Sequence, residues 1–158
     1  IRDISFKWLW ANMEHWITVH WVRHKWEKFV RTQRSDKTGI SRAELTQVEP
    51  QNFTGEANVQ HLIDTMRKRL CYCSSPETRE YAEDLKMTIQ NIEPEISDVL
   101  VPNCVYRCGC PEMNSKCKQW DKFVKWVGEI SSGDVRRMPI QERYNWYNIW
   151  FYTNRSKK

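Results

Sequence analysis

The chain has 158 residues, of which 40% are hydrophobic and 28% charged, a balance that fits a globular protein and excludes a disordered or collagen-like one. Its net charge of +5 favours anionic partners, yet the basic residues are dispersed, so charge alone does not single out nucleic acid. No apolar run reaches about 18 residues, which excludes an ordinary transmembrane helix, and the expected setting is soluble and cytoplasmic, without a membrane partner.

The first residues, Ile1-Arg2-Asp3, show neither a methionine nor a leader-like apolar segment and are read as the start of a partial chain. Residues 4–8 suit a short strand leading into a helix over 9–29, because Leu9, Met13, Trp16 and Ile17 share one stripe at helical spacing. That stripe continues into His20 and His24, with Arg23 beside it. Such a pattern suits either the floor of a polar pocket or two satisfied core histidines. Residues 35–53 are polar and rich in turn formers, and read as a long loop or lid.

A second helix is expected over 55–70, capped by Thr54, with Val59, Leu62, Ile63, Met66, Leu70 and Cys73 on its buried stripe. A third starts at Ser74 or Ser75 with Pro76 in its first turn, presents Tyr81, Leu85, Ile89 and Ile92, and ends at Pro94. A helical turn over 95–100 and an irregular stretch over 103–117 precede helices over 118–130 and 140–151. These elements predict a mostly helical α/β protein with a small sheet: a core over 1–100, then a cysteine-rich segment and aromatic helical tail over 101–158. Nine tryptophans predict aromatic-rich packing, with rings left over for a ligand or an interface.

All six cysteines lie between positions 71 and 117. Thiols gathered this closely in a cytoplasmic protein point to metal ligation more than to disulfides. Four sulfurs around Zn²⁺ would close an otherwise irregular segment and leave no open catalytic position. The chosen ligands are Cys71, Cys104, Cys110 and Cys117, with Cys108 as a substitute and Cys73 assigned to the core.

The run His20-Trp21-Val22-Arg23-His24-Lys25, followed by Arg31-Thr32-Gln33-Arg34-Ser35, resembles the signature of the flavin-dependent thymidylate synthase (ThyX) family. Lys25 stands where the family carries a second arginine. A later stretch is similar too: Asn58-Val59-Gln60, then Arg67-Lys68-Arg69, then Ser75-Pro76-Glu77-Thr78-Arg79-Glu80. The likeness covers roughly residues 4–92 and is nearest to divergent, phage-type ThyX-like proteins with a cysteine-rich extension. It implies helices against a small sheet, a homo-oligomer (a tetramer in the family), FAD as cofactor and dUMP or a related pyrimidine nucleotide as substrate. By the same resemblance, Arg23, His24, Lys25 and Asn58 would contact the flavin. Thr32, Gln33 and Arg34 would cradle the nucleotide phosphate, and Arg79 would lie near the pyrimidine, making Arg34 and Arg79 the candidate catalytic pair.

Two functions follow as expectations. The first is a flavin- and nucleotide-binding protein that transfers and reduces a methylene group. The second is a non-catalytic, zinc-stapled interaction protein, such as a phage-encoded inhibitor, that binds a host protein or nucleic acid. The second needs only an exposed basic and aromatic surface, for which Arg136, Arg137, Arg143, Trp146 and Trp150 are the candidates.

Overall fold

A computed structural model describes residues 3–30, 34–113 and 117–155. Thr32 and Gln33 lie outside the described residues. The fold is mostly helical α/β with one small antiparallel sheet, as the sequence predicts. The chain divides into two compact units, residues 1–62 and 63–158.

In the first unit, β1 (Ser5–Glu14), β2 (Glu27–Val30) and β3 (Pro50–Asn58) form a sheet of order β1-β3-β2. The helix expected over 9–29 is absent. In its place stand most of β1, a seven-residue helix α1 (His15–Trp21) and β2. The physical reason is a competing period of two. Phe6, Trp8 and Trp10 are half-buried while Lys7, Leu9 and Ala11 between them are exposed. Leu9, placed on the buried helical stripe by its spacing, is 61% exposed.

A bulge between Trp10 and Met13, with Asn12 at a φ of 56°, then shifts the alternation so that Met13 is buried. The Asn12 N–H donates to Asn52 Oδ1 at 3.3 Å. Tryptophans fill the inner side of this sheet: Trp8 meets Trp26 at 4.9 Å, Trp10 meets Trp21 at 4.7 Å, and Trp21 stacks on Trp26. Trp8 lies across Gly55, where a Cβ would sit 2.4 Å from Trp8 Cζ2. A glycine in this strand is therefore a packing requirement.

The segment expected as a loop over 35–53 holds a short helix α2 (Ser35–Thr38) and a 3₁₀ turn at Arg42–Glu44, and then becomes the central strand at Pro50. Its Gln51, Phe53, Gly55 and Ala57 alternate as buried positions. The carbonyls of Glu49 and Gln47 accept the first N–H groups of α1, from His15 and Trp16, both at 3.1 Å. This satisfies donors that a helix N-terminus otherwise leaves open.

Helix α3 (Val59–Arg69) begins in the first unit and continues into the second. It starts four residues later than expected, because Thr54 and Gly55 belong to β3 and Asn58 supplies the cap, its Oδ1 accepting from His61 N at 2.9 Å. The second unit continues with α4 (Pro76–Gln90), α5 (Pro94–Asp98), α6 (Asn103–Tyr106), α7 (Gln119–Ser131) and α8 (Ile140–Arg155). Ser75 caps α4 as predicted, accepting from Thr78 N at 3.3 Å. Pro94 opens α5 and does not close α4; Ile92 lies between the two helices and is 63% exposed.

The core of this unit gathers Val101, Val105, Trp120, Phe123, Tyr147 and Trp150. Arg143 fixes α8 to α6 by donating to the carbonyls of Val105, Tyr106 and Met138 at 2.8–3.2 Å. Among the described residues, no helix is long and apolar enough to cross a membrane.

Lys86 is fully buried and donates to the Ser97 carbonyl at 2.5 Å, while Ser97 Oγ donates back to the Lys86 carbonyl at 3.0 Å. Burial lowers its ammonium pKa from 10.5 to about 7, against a smaller opposing pull from Asp98. The unfolded chain then binds more protons than the folded one between about pH 7 and 10.5. Lys86 therefore makes stability rise with pH across that window, and its full cost is present below it. The difference in unfolding free energy between wild type and Lys86→Met, measured by urea denaturation from pH 6 to pH 10, is expected to change by roughly a few kcal/mol. A pH-independent difference would show that Lys86 titrates normally.

Candidate metal centre

The turn between α3 and α4 carries Cys71 and Cys73, and Cys117 stands two residues before α7. Their sulfurs all lie within 4.8 Å of one another. Cys104, on α6, and Cys110, just beyond it, line the same recess of about 260 Å³. Five of the six cysteines therefore line one recess, whereas the close group of sulfurs contains Cys71 and Cys117 of the four chosen from the sequence and leaves out Cys104 and Cys110.

Cys73 is the correction. It is exposed and does not belong to the core. The helical stripe on which it was placed stops at Arg69, so Cys73 occupies a turn and faces the recess. A Cys-x-Cys pair directly before a Ser-Pro helix start was the available signal, since such a start requires a turn before it. Cys108 is directed elsewhere, its Sγ donating to the Arg136 carbonyl at 3.5 Å.

The local backbone suits a thiolate. The Cys73 N–H donates to Cys71 Sγ at 3.5 Å. Gln119, buried at the start of α7, accepts from Tyr72 N through Oε1 at 3.1 Å, which ties the cysteine turn to α7. Arg67, Lys68 and Arg69 line the recess and supply positive charge near developing thiolates. Burial pushes the Cys71 thiol up to about 11 and the Cys104 thiol up to about 12, and neighbouring cysteines add to both. Without a cation these sulfurs hold their protons; a soft divalent ion is what would displace them. The group can hold a metal ion.

The residues singled out by the ThyX resemblance fall in separate places. In the first unit, Lys25 and Asn58 line one open recess together with His61. Arg23 is exposed, and the His24 ring packs on Trp21 and Trp26 at 6.1 and 5.4 Å. Arg34 lies on a different recess of the same unit, about 280 Å³, with His15, Arg42 and the apolar Val19, Val22 and Val30. His15 and Arg42 were not picked out from the sequence, because only the folded chain brings 15 and 42 beside 34. Arg34 is also paired with Asp36 at 2.7 Å, and the buried His15 Nδ1 has no hydrogen-bond partner.

Arg79 belongs to the second unit, where it pairs with the buried Glu83 at 3.3 Å and lies 4.4 Å over the Tyr72 ring. Glu83 is also held by Arg155 at 2.8 Å. Of the aromatic and basic tail residues, Trp150 is buried in the core and Arg143 is committed to backbone carbonyls. Arg136 and Arg137 are exposed beside Asp134, and Trp146 packs edge-on against Trp126 at 6.2 Å.

Compared with protein-family models, curated proteins and solved structures, the chain gives no significant match.

Proposed function

We propose that this is a ThyX-like, pyrimidine-nucleotide-binding protein whose second unit is closed by a structural zinc ion. The observation that carries the nucleotide reading is the recess of His15, Arg34 and Arg42 beside an apolar wall of Val19, Val22 and Val30. Two guanidiniums and an imidazole suit a phosphate, and the valines suit the sugar and base of a nucleotide. Arg34 is the residue that the family resemblance assigns to the phosphate. The flavin seat of the same reading is the recess shared by Lys25 and Asn58.

Binding is better supported than methyl transfer. Arg79 would have to leave an ion pair with a buried glutamate before it could reach a pyrimidine, and breaking such a pair is costly. The zinc-stapled interaction protein keeps one specific support, the exposed Arg136 and Arg137.

The zinc reading rests on Cys71, Cys73 and Cys117 as ligands, with Cys104 as the fourth because it is buried in the same recess. Four thiolates make a closed site, so zinc would supply folding energy and no reaction step. Protein purified without chelator is expected to carry about one zinc per chain by elemental analysis. Cys73→Ser and Cys117→Ser are expected to lose it and to melt at lower temperature, whereas Cys108→Ser keeps it. Zinc retained at full occupancy in Cys117→Ser would contradict the ligand set.

For the nucleotide, quenching of tryptophan fluorescence by dUMP reports binding, and Arg42→Ala is expected to weaken it about tenfold. Uridine, which lacks the phosphate, is expected to bind more weakly and without sensitivity to Arg42→Ala. FAD added to the protein is expected to show a visible spectrum that dUMP perturbs. No quenching by dUMP at about 1 mM would remove the nucleotide reading and leave the interaction protein.

A further inference from the structure

The close group of sulfurs is placed for a second chemistry besides metal ligation. Cys71, Cys73 and Cys117 have their sulfurs within 4.8 Å of one another. An S–S bond is about 2.05 Å long, and side-chain rotation spans the difference. Cys73 is exposed, while Cys71 and Cys117 are half-buried, so an oxidant in solvent meets Cys73 first. Arg67, Lys68 and Arg69 line the recess and outweigh the carboxylate of Glu112, and positive charge there favours an anionic sulfur nucleophile. The partner of Cys73 follows from the surrounding geometry. The Ser74 N–H donates to the Cys71 carbonyl at 2.9 Å, so a Cys71–Cys73 bond would close a strained ring inside that turn. Cys108 is directed to the Arg136 carbonyl, and Cys104 and Cys110 stand outside the close group. Cys117 is left.

We propose, resting on the zinc reading, that hydrogen peroxide converts Cys73 and Cys117 to a disulfide and that this bond takes the place of the metal ion. The Cys73 sulfur attacks one peroxide oxygen: an S–O bond forms, the O–O bond breaks, and the other oxygen leaves as hydroxide. The Cys117 thiolate then attacks the Cys73 sulfur, the S–S bond forms, and the S–O bond breaks to release a second hydroxide. Two electrons pass from the two thiolates to one peroxide, and two solvent protons turn both hydroxides into water. The bond withdraws two of the four thiolates proposed for zinc, and two sulfurs do not fill a tetrahedral structural shell. Cys71 and Cys104 take protons from solvent as the ion is lost. The turn after α3 then stays tied to the approach to α7, while α6, which carries Cys104, loses its link. Metal ligation and the disulfide are exclusive states of one cluster.

The test measures zinc content first, then adds hydrogen peroxide in the presence of a chromophoric zinc indicator. Peptide mass spectrometry without reduction maps the bond that forms. About one zinc is expected to leave per disulfide, with Cys73 and Cys117 as the bonded pair. Dithiothreitol with fresh zinc is expected to restore the starting content, and Cys108→Ser to behave as wild type throughout. Full-length protein that holds no zinc before peroxide is added overturns the zinc reading, and the exchange with it. Zinc-loaded protein that keeps its ion in excess peroxide overturns the disulfide exchange alone. So does a bond mapped to any other pair, or a Cys108→Ser protein that no longer releases zinc.

Discussion

Three separated segments of the second unit meet at the cysteines: the turn after α3, the end of α6 and its following residues, and the approach to α7. These segments are short: a turn, a four-residue helix with the residues after it, and the residues leading into α7. What the sequence supplies at their meeting point is sulfur. Around a soft cation such thiols would form a coordinated junction among the three segments. Trp120 and Phe123 of this core belong to α7, so an ion held by the cysteines would tie that core to the end of α3. Gln119 ties the cysteine turn to α7, and Arg143 ties α8 to α6, through hydrogen bonds to backbone groups.

The first unit solves a different problem with different means. A three-stranded sheet has little area with which to bury a core, and here tryptophans supply most of it. Each indole removes a large apolar area from water, which lets a sheet this small hold together. The cost is steric: Trp8 occupies the space a side chain at position 55 would need. On its other face the same sheet leaves Leu9 and Phe29 exposed.

How much of this was legible in the sequence follows from how local the deciding physics is. The start of α4 could be read because its signals, the Ser75 cap and Pro76, act within a few residues. Helices α7 and α8 could be read from periodicity. The mostly helical α/β class followed from their sum. Residues 4–30 could not be resolved in the same way, since they satisfy both a helical stripe through Leu9, Met13 and Ile17 and a strand alternation through Phe6, Trp8 and Trp10. Only pairing with β3 decides between them, and β3 itself was hidden in a polar segment whose buried side includes a glutamine and a glycine. At the cysteine cluster, grouping in sequence was enough to find the thiols, whereas the placement of Cys73 depended on where α3 stops. The recess of His15, Arg34 and Arg42 is wholly a product of folding.

The proposed tetrathiolate zinc ion of the second unit has a spectroscopic signature. Zinc-edge X-ray absorption of protein purified without chelator is expected to show a first shell of four sulfurs at about 2.3 Å. A shell containing nitrogen or oxygen ligands, or the absence of zinc from folded protein, would contradict it.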